Sequence, residues 1–438
     1  MKNQDTYYHQ SIDNCLKGTI GDGGLDENAL AGLLAGLRLG LEGIAEAYEA
    51  GSLPMLQLPE RRQDLKLLEP VAEHYRENFT DVLILGTGGS SLGSKALHDM
   101  ARPKGGANRK GPNLHIVTNV DPFSFDALIH RLDCKNTGVV VISKSGSTTE
   151  TMMQFIAILP HFREALGEAA LAKHFTLITE PTDNPLRRLG ARFGLPVLDH
   201  DPKVGGRYSV LSLVGMLPTM IAGLNPEGVR EGAEAVLRRT LSAVNPEDSA
   251  PALGAAVNVG LNRHNDVSAS VMLAYSDRLG SLARWYRQLW AESLGKEGHG
   301  TTPVYAMGPV DQHSQLQLWL DGPKDKIFTV LGGPVAKGSD PIDVDLASDP
   351  KLDFMVGRTM GDLMDASRRA TAETLAKNGR PVRLITLDEI SEVSMGALMM
   401  HFMLETILAA NLLNVDPFDQ PAVEQGKVLI RQYMREMG

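Results

Sequence analysis

Residues 81–97, DVLILGTGGSSLGSKAL, read as strand, loop and helix in quick succession. Val82, Leu83, Ile84 and Leu85 form a short apolar run suited to a strand buried on both faces, and Gly86, Gly88 and Gly89 remove side chains where the backbone turns. Ser90 and Ser91 then open a helix, whose first N–H groups are unpaired and carry a partial positive charge. An anion would sit there, with Gly89 and Ser90 beside it. The same stretch also fits a tight βα turn with nothing bound, because glycine-rich turns are common.

Two nucleotide loops nearly match and fail. A dinucleotide fingerprint needs a third glycine where Ser91 stands, and a P-loop needs Lys before Ser, whereas here Ser94 precedes Lys95. Neither nucleotide is supported.

The 438 residues suffice for two or three domains, each with its own core. A hydrophobic share of 43% with 22% charged residues is that of a soluble globular protein. No apolar run is read as reaching membrane-spanning length, and MKNQDTYYHQ lacks the apolar core of a signal peptide, so the cytoplasm is the expected setting. Two cysteines, Cys15 and Cys134, are too few for a disulfide framework and fit a reducing compartment. A net charge of −10 argues against a general nucleic-acid binder while leaving room for a local cationic pocket.

Residues 1–60 read as an irregular lead and a packing helix over 26–50, an N-terminal helical arm. From 61 to 240, apolar runs at 82–85, 114–118, 139–143, 175–179 and 197–198 alternate with amphipathic or glycine-marked segments. That alternation predicts a parallel sheet with helices on both faces. A second such unit spans 241–438, with strands at 268–275, 303–307, 327–331 and 382–387 and helices near 279–294, 358–378, 389–413 and 421–436. The boundary between the units falls among turn signals at 225–228 and 245–247.

The second loop of the first unit carries more chemistry than the first. In VVVISKSGSTTET, residues 139–151, Ser143, Lys144, Ser145, Ser147 and Thr148 lie between a buried strand and a helix start. These donors suit the terminal oxygens of a phosphomonoester; the alternative is a solvated, N-capped turn. Gly205 and Gly206 let Arg207 approach a ligand along bare backbone, where its fixed charge would stabilise an oxyanion; a turn with a surface salt bridge has the same sequence. Gln288 and Glu292 share a helix face, and Glu292 falls in the last turn, where the helix dipole disfavours a carboxylate. A general base would explain that position, and so would an ordinary surface glutamate. His313 is a candidate proton shuttle or a satisfied turn residue. Gln420 precedes Pro421 at the start of a terminal helix that carries Lys427. His401 and Glu405 share a helix face without a third metal ligand, so they are expected to pack or pair.

Taken in order, GTGGSSLG (86–93), SKSGSTTET (143–151), GGRYS (205–209), QLWAESLGK (288–296), QHSQLQL (312–318) and PFDQPAVEQGK (417–427) resemble the glucose-6-phosphate isomerase, or phosphoglucose isomerase, family. The resemblance implies an α/β fold of two three-layer α/β/α sandwich domains of the sugar-isomerase (SIS) type. It implies interconversion of glucose 6-phosphate and fructose 6-phosphate, in glycolysis and gluconeogenesis, through a cis-enediol(ate). Glu292 is then the base, Arg207 the group beside the oxyanion, His313 and Lys427 the ring-opening pair, and Gln288 and Gln420 pocket walls. Ser143, Lys144, Ser145 and Thr148, with Gly89 and Ser90, become the phosphate grip. No metal or other cofactor is implied, because one carboxylate can move the proton between neighbouring carbons. The partner implied is a second copy of the chain supplying His313, with neither nucleic acid nor membrane involved.

Departures from the family pattern are Thr87, Gly146, Leu294 and the run Met403, Leu404, Glu405 in place of Glu-His-Lys. They bear on fine specificity. Two rival readings remain: a dual phosphoglucose/phosphomannose isomerase, and a non-catalytic sugar-phosphate-binding regulator.

Overall fold

The computed structural model describes residues 7–101 and 111–437. Ten strands run in chain order as β1 (Tyr8–Ser11), β2 (Asp81–Leu85), β3 (Asn113–Val117), β4 (Thr137–Ile142), β5 (Phe175–Thr179), β6 (Val197–Asp199), β7 (Ala269–Tyr275), β8 (Thr302–Met307), β9 (Lys326–Gly332) and β10 (Val382–Leu387). They form two five-stranded sheets, ordered β3-β2-β4-β5-β6 and β1-β10-β9-β7-β8. All pairings in the first sheet are parallel, and in the second only β1 runs antiparallel, against β10. The fold class is therefore α/β with mainly parallel sheets.

Alternation along the strands explains the layers. Val82, Ile84, Val140 and Ile142 face a core that also receives Met272, Ala274, Ile327 and Leu331 from the second sheet. Leu83, Leu85, Val139 and Val141 face a separate outer core on their own sheet's far side, while Val271, Leu273, Phe328 and Val330 face another. Each sheet is thus buried on both faces, which is why its strands read as continuous apolar runs.

The central core is built around the helix Glu392–Leu413, packed against Pro226–Leu241 and Ala250–Asn265. By length and apolarity this 22-residue helix would cross a membrane, contrary to the sequence expectation, but 94% of its most apolar window is buried inside the protein. It carries a buried polar network. Arg383 of β10 donates from Nη1 to both Glu405 oxygens at 2.8 Å. Glu405 also accepts from Asn258 at 3.1 Å and lies 2.9 Å from His401 Nε2. Tyr8 of β1 meets His401 Nδ1 at 2.6 Å. With the imidazole neutral, the Tyr8 hydroxyl donates to Nδ1 and Nε2–H donates to Glu405. His401 and Glu405 do pair.

Two expectations for residues 1–60 change. The single helix over 26–50 is two, Glu27–Gly36 and Arg38–Glu49, joined at Leu37 next to a glycine of low helix propensity. The irregular lead contains β1, which closes the edge of the second sheet.

Candidate active site

The first sheet reverses its winding between β2 and β4, since β3 lies on one side of β2 and β4 to β6 lie on the other. In such sheets the crevice opens at the carboxyl ends of the strands flanking the reversal. The loops that follow β2 and β4, residues 86–91 and 143–148, emerge there.

A chain of close approaches links these loops to the second sheet's helix Asp277–Leu294. A Cβ on Gly86 would lie 3.2 Å from the Ile142 carbonyl, and one on Gly88, where φ is +59°, would lie 2.8 Å from Gln288 Nε2. Gly89 is tighter still, since a Cβ there would lie 2.2 Å from the Gly206 carbonyl oxygen. Glycine at 89 is therefore required by backbone-to-backbone contact. Gly89→Ala is expected to cost about 1–3 kcal/mol of stability by overpacking, as measured by denaturant unfolding.

Gln288 and Glu292 project from the same face of that helix into this junction. Gln288 Nε2 donates to Glu292 Oε1 at 3.1 Å, and Arg207 Nη1 lies 3.4 Å from Glu292 Oε2. These two donors offset the unfavourable position of a carboxylate in a helix's last turn. Glu292 remains 33% exposed while Arg207 is 3% exposed, so the carboxylate faces the crevice and the guanidinium forms its floor. Arg207 also donates from Nε to Ser293 Oγ at 2.8 Å, from Nη1 to Gln420 Oε1 at 2.7 Å, and from Nη2 to the carbonyls of Pro417 and Asp419 at 2.5 and 2.8 Å. Tyr208 is buried beneath it, which pushes its phenol up to about 12, and its hydroxyl meets Ser293 Oγ at 3.1 Å.

In the loop after β4, Ser143 Oγ donates to Thr148 Oγ1 at 3.0 Å and Ser147 Oγ to Ser145 Oγ at 3.2 Å. Thr148 is the N-cap of the helix Thr149–Leu166, yet its side chain makes no capping hydrogen bond. The helix's first N–H groups are thus not closed off by that hydroxyl, as the capped-turn alternative would require. Lys144 is turned to the Pro202 carbonyl at 2.7 Å and to Glu180 at 3.5 Å. Ser90 ends the short helical turn Gly88–Ser90, half-buried beside Gly89.

Glu292, Arg207, Gln288, Gln420 and Gly89 are thereby gathered; His313 and Lys427 are not. The helix Asp277–Leu294 starts at the carboxyl end of β7 and must return before the parallel strand β8 begins. Glu292 therefore lies at the amino end of the second sheet, while His313, on Val310–Ser314 after β8, lies exposed at the opposite end. Lys427 is exposed and donates to Glu424 at 2.6 Å, on a helix, Glu424–Glu436, that has no buried residue. Sequence reading also passed over Ser293, Lys296 and Asp419. All three stand inside the quoted motifs, but nothing in residue type reveals that they face Arg207 or each other.

Among the described residues no cluster of three or more metal-ligating side chains occurs. The phosphoglucose isomerase family model matches residues 72–311, more than half of the chain. A glucose-6-phosphate isomerase of Rubrobacter xylanophilus is 38% identical over 380 residues, 85% of this chain and 87% of that one. A glucose-6-phosphate isomerase of Thermus thermophilus is 37% identical over 397 residues, 89% and 92% of the two chains. Among solved structures, a hypothetical protein from Thermus thermophilus superposes with a TM-score of 0.81 at 33% identity, covering 94% of this chain and 99% of that one. A glucose-6-phosphate isomerase from Chlamydia trachomatis shares the fold, with a TM-score of 0.77 at 21% identity and coverage of 94% and 87%. The sheets, the convergence at their junction and these likenesses agree: the chain belongs to the phosphoglucose isomerase family.

Proposed function

We propose that the chain is an aldose–ketose isomerase interconverting glucose 6-phosphate and fructose 6-phosphate, with Glu292 as the base. The observation that carries this reading is the Gln288–Glu292–Arg207 cluster, which sets one part-exposed carboxylate beside one buried cation at the mouth of the 86–90 loop. Glu292 takes the proton from C2 and returns it to C1 in the aldose-to-ketose direction. The enediolate oxygen formed in between draws on Arg207 Nη1, whose contact to Glu292 is the longest the guanidinium makes. The hydroxyls of Ser143, Ser145 and Thr148 and the uncapped N–H groups beyond them receive the phosphate, with Gly89 and Ser90 alongside. Holding that far end uses remote binding energy to fix C1 and C2 against the base. Lys144 joins the grip by exchanging Glu180 for the phosphate.

His313 and Lys427 act in ring opening, and a homodimer supplies His313 from a second copy. Two features support that assembly: His313 and Glu292 lie at opposite ends of the second sheet, and the helix carrying Lys427 exposes Val428, Ile430, Tyr433 and Met434. The expected setting is the cytoplasm, in keeping with free Cys15 and Cys134.

A coupled assay for fructose 6-phosphate formation tests the activity, and mannose 6-phosphate in the same assay tests the dual-specificity reading. Mixing inactive Glu292→Gln and His313→Ala variants tests the assembly. Random reassortment at equal amounts leaves about one intact site in four, so about a quarter of wild-type activity is expected. No recovery after verified subunit exchange would place His313 outside its neighbour's site.

A further inference from the structure

We infer that Lys296 is a positioning residue that, through an ion pair with Asp419, fastens residues 416–420 as a strap against Arg207, the cation beside Glu292. The inference rests on the reading of Glu292 as the base and extends it to residues that touch no substrate.

The strap is held at several points. Lys296 follows the helix of Glu292 by two residues, is 11% exposed, and sets Nζ 2.6 Å from Asp419 Oδ1 while donating also to the Asp416 carbonyl. Asp416 Oδ1 accepts from Phe418 N at 2.8 Å, which folds the strap into a turn. The Phe418 ring lies 5.4 Å from that of Tyr208, whose hydroxyl donates to the Pro417 carbonyl at 3.3 Å. Beyond it, Glu424–Glu436 has no buried residue, so among the described residues the strap is the last segment fixed to the body of the fold.

Arg207 makes the strap matter to the chemistry. A guanidinium has five N–H donors, and the five acceptors here are Ser293, Glu292, Gln420 and the carbonyls of Pro417 and Asp419. Three of the five belong to the strap. Its position therefore decides how far Arg207 Nη1 stands from Glu292, and where Gln420 points. Exposed ion pairs contribute little, but Lys296 is nearly buried, and a buried ammonium deprived of its carboxylate is not easily accommodated. The pair clamps the strap to the segment just past Glu292, so loosening it moves the cation relative to the base.

The test compares full-length Lys296→Met, Asp419→Ala, the double variant and Lys296→Arg. Steady-state kinetics with fructose 6-phosphate are combined with thermal unfolding and amide hydrogen exchange over residues 416–423. Asp419 is 55% exposed, so its replacement spares the core. Each single variant is expected to lower kcat about ten-fold with KM within about two-fold, because transition-state placement is lost more than ground-state binding. The double is expected to be no worse than the poorer single, and Lys296→Arg to keep most of the rate. Exchange over 416–423 should quicken without a matching fall in thermal stability. Rates within two-fold of wild type, unchanged strap exchange, or losses that simply follow thermal stability would overturn the proposal. Should Glu292→Gln stay active, the base reading fails by itself, while strap exchange still reports on the Lys296–Asp419 fastening.

Discussion

Glu292→Gln is expected to lower kcat by about a thousand-fold, roughly 4 kcal/mol of barrier, while KM for sugar phosphate stays within a few-fold. Glutamine keeps the volume and an oxygen able to accept from Gln288, so the change removes the proposed base and little else. Arg207 retains its bonds to Ser293, Gln420 and the carbonyls of Pro417 and Asp419. The floor of the site, and with it thermal stability, should therefore persist. If a tenth of the rate survives, Glu292 is not the base, because that corresponds to only about 1.4 kcal/mol.

The second large effect is on stability. Glu405→Leu removes the only carboxylate paired with Arg383 among the described contacts, inside a core where both side chains are 0% exposed. A buried guanidinium left without its partner should cost about 3–5 kcal/mol, read as a lower denaturant midpoint. Arg383→Met combined with Glu405→Leu should recover much of that loss, since removing both charges abolishes the desolvation that the pair otherwise offsets. A double variant as unstable as the single would show that the network acts through shape instead of charge.

The same network sets a direction for pH. Burial lowers the His401 imidazole below its ordinary 6.5, so unfolding takes up a proton once pH falls beneath that value. Burial pushes Glu405 upward, but Arg383 and His401 outweigh it and hold its carboxyl below the usual 4.5. Both groups bind more protons unfolded than folded in acid. Stability is expected to decline from about pH 6.5 downward and more steeply below about 4.5, the first limb disappearing in His401→Gln.

The interior parallel strands were legible because most of their side chains are buried: the runs at 82–85, 175–179 and 382–387 lie within a residue of β2, β5 and β10. β1 escaped notice because Tyr8–Ser11, YHQS, is a polar edge strand with one buried side chain and no period to read. The break at Leu37 was hidden because the apolar spacing continues across it. In the site, Glu292, Arg207, Gln288 and Gln420 could be named from motifs. The carbonyl acceptors that hold Arg207 could not, since a backbone oxygen has no residue signature. Lys144 read as a free donor because Glu180, its counter-ion, reaches it only through the pairing of β4 with β5. The separation of His313 from Glu292 likewise depends on β7 and β8 being parallel neighbours, and alternation along the chain suggests parallel strands without saying which two lie side by side.

The antiparallel pairing of Tyr8–Ser11 with Leu384–Leu387 has a bearing on biosynthesis. On a ribosome, the earlier partner emerges while almost all of the intervening polypeptide is still unmade, so it must wait as an open ribbon until β10 appears. The first sheet, complete by Asp199, can assemble long before then. The second stays unsealed along one border until β10 itself has been made, and nascent chains stalled short of β10 should be the ones that chaperones retain.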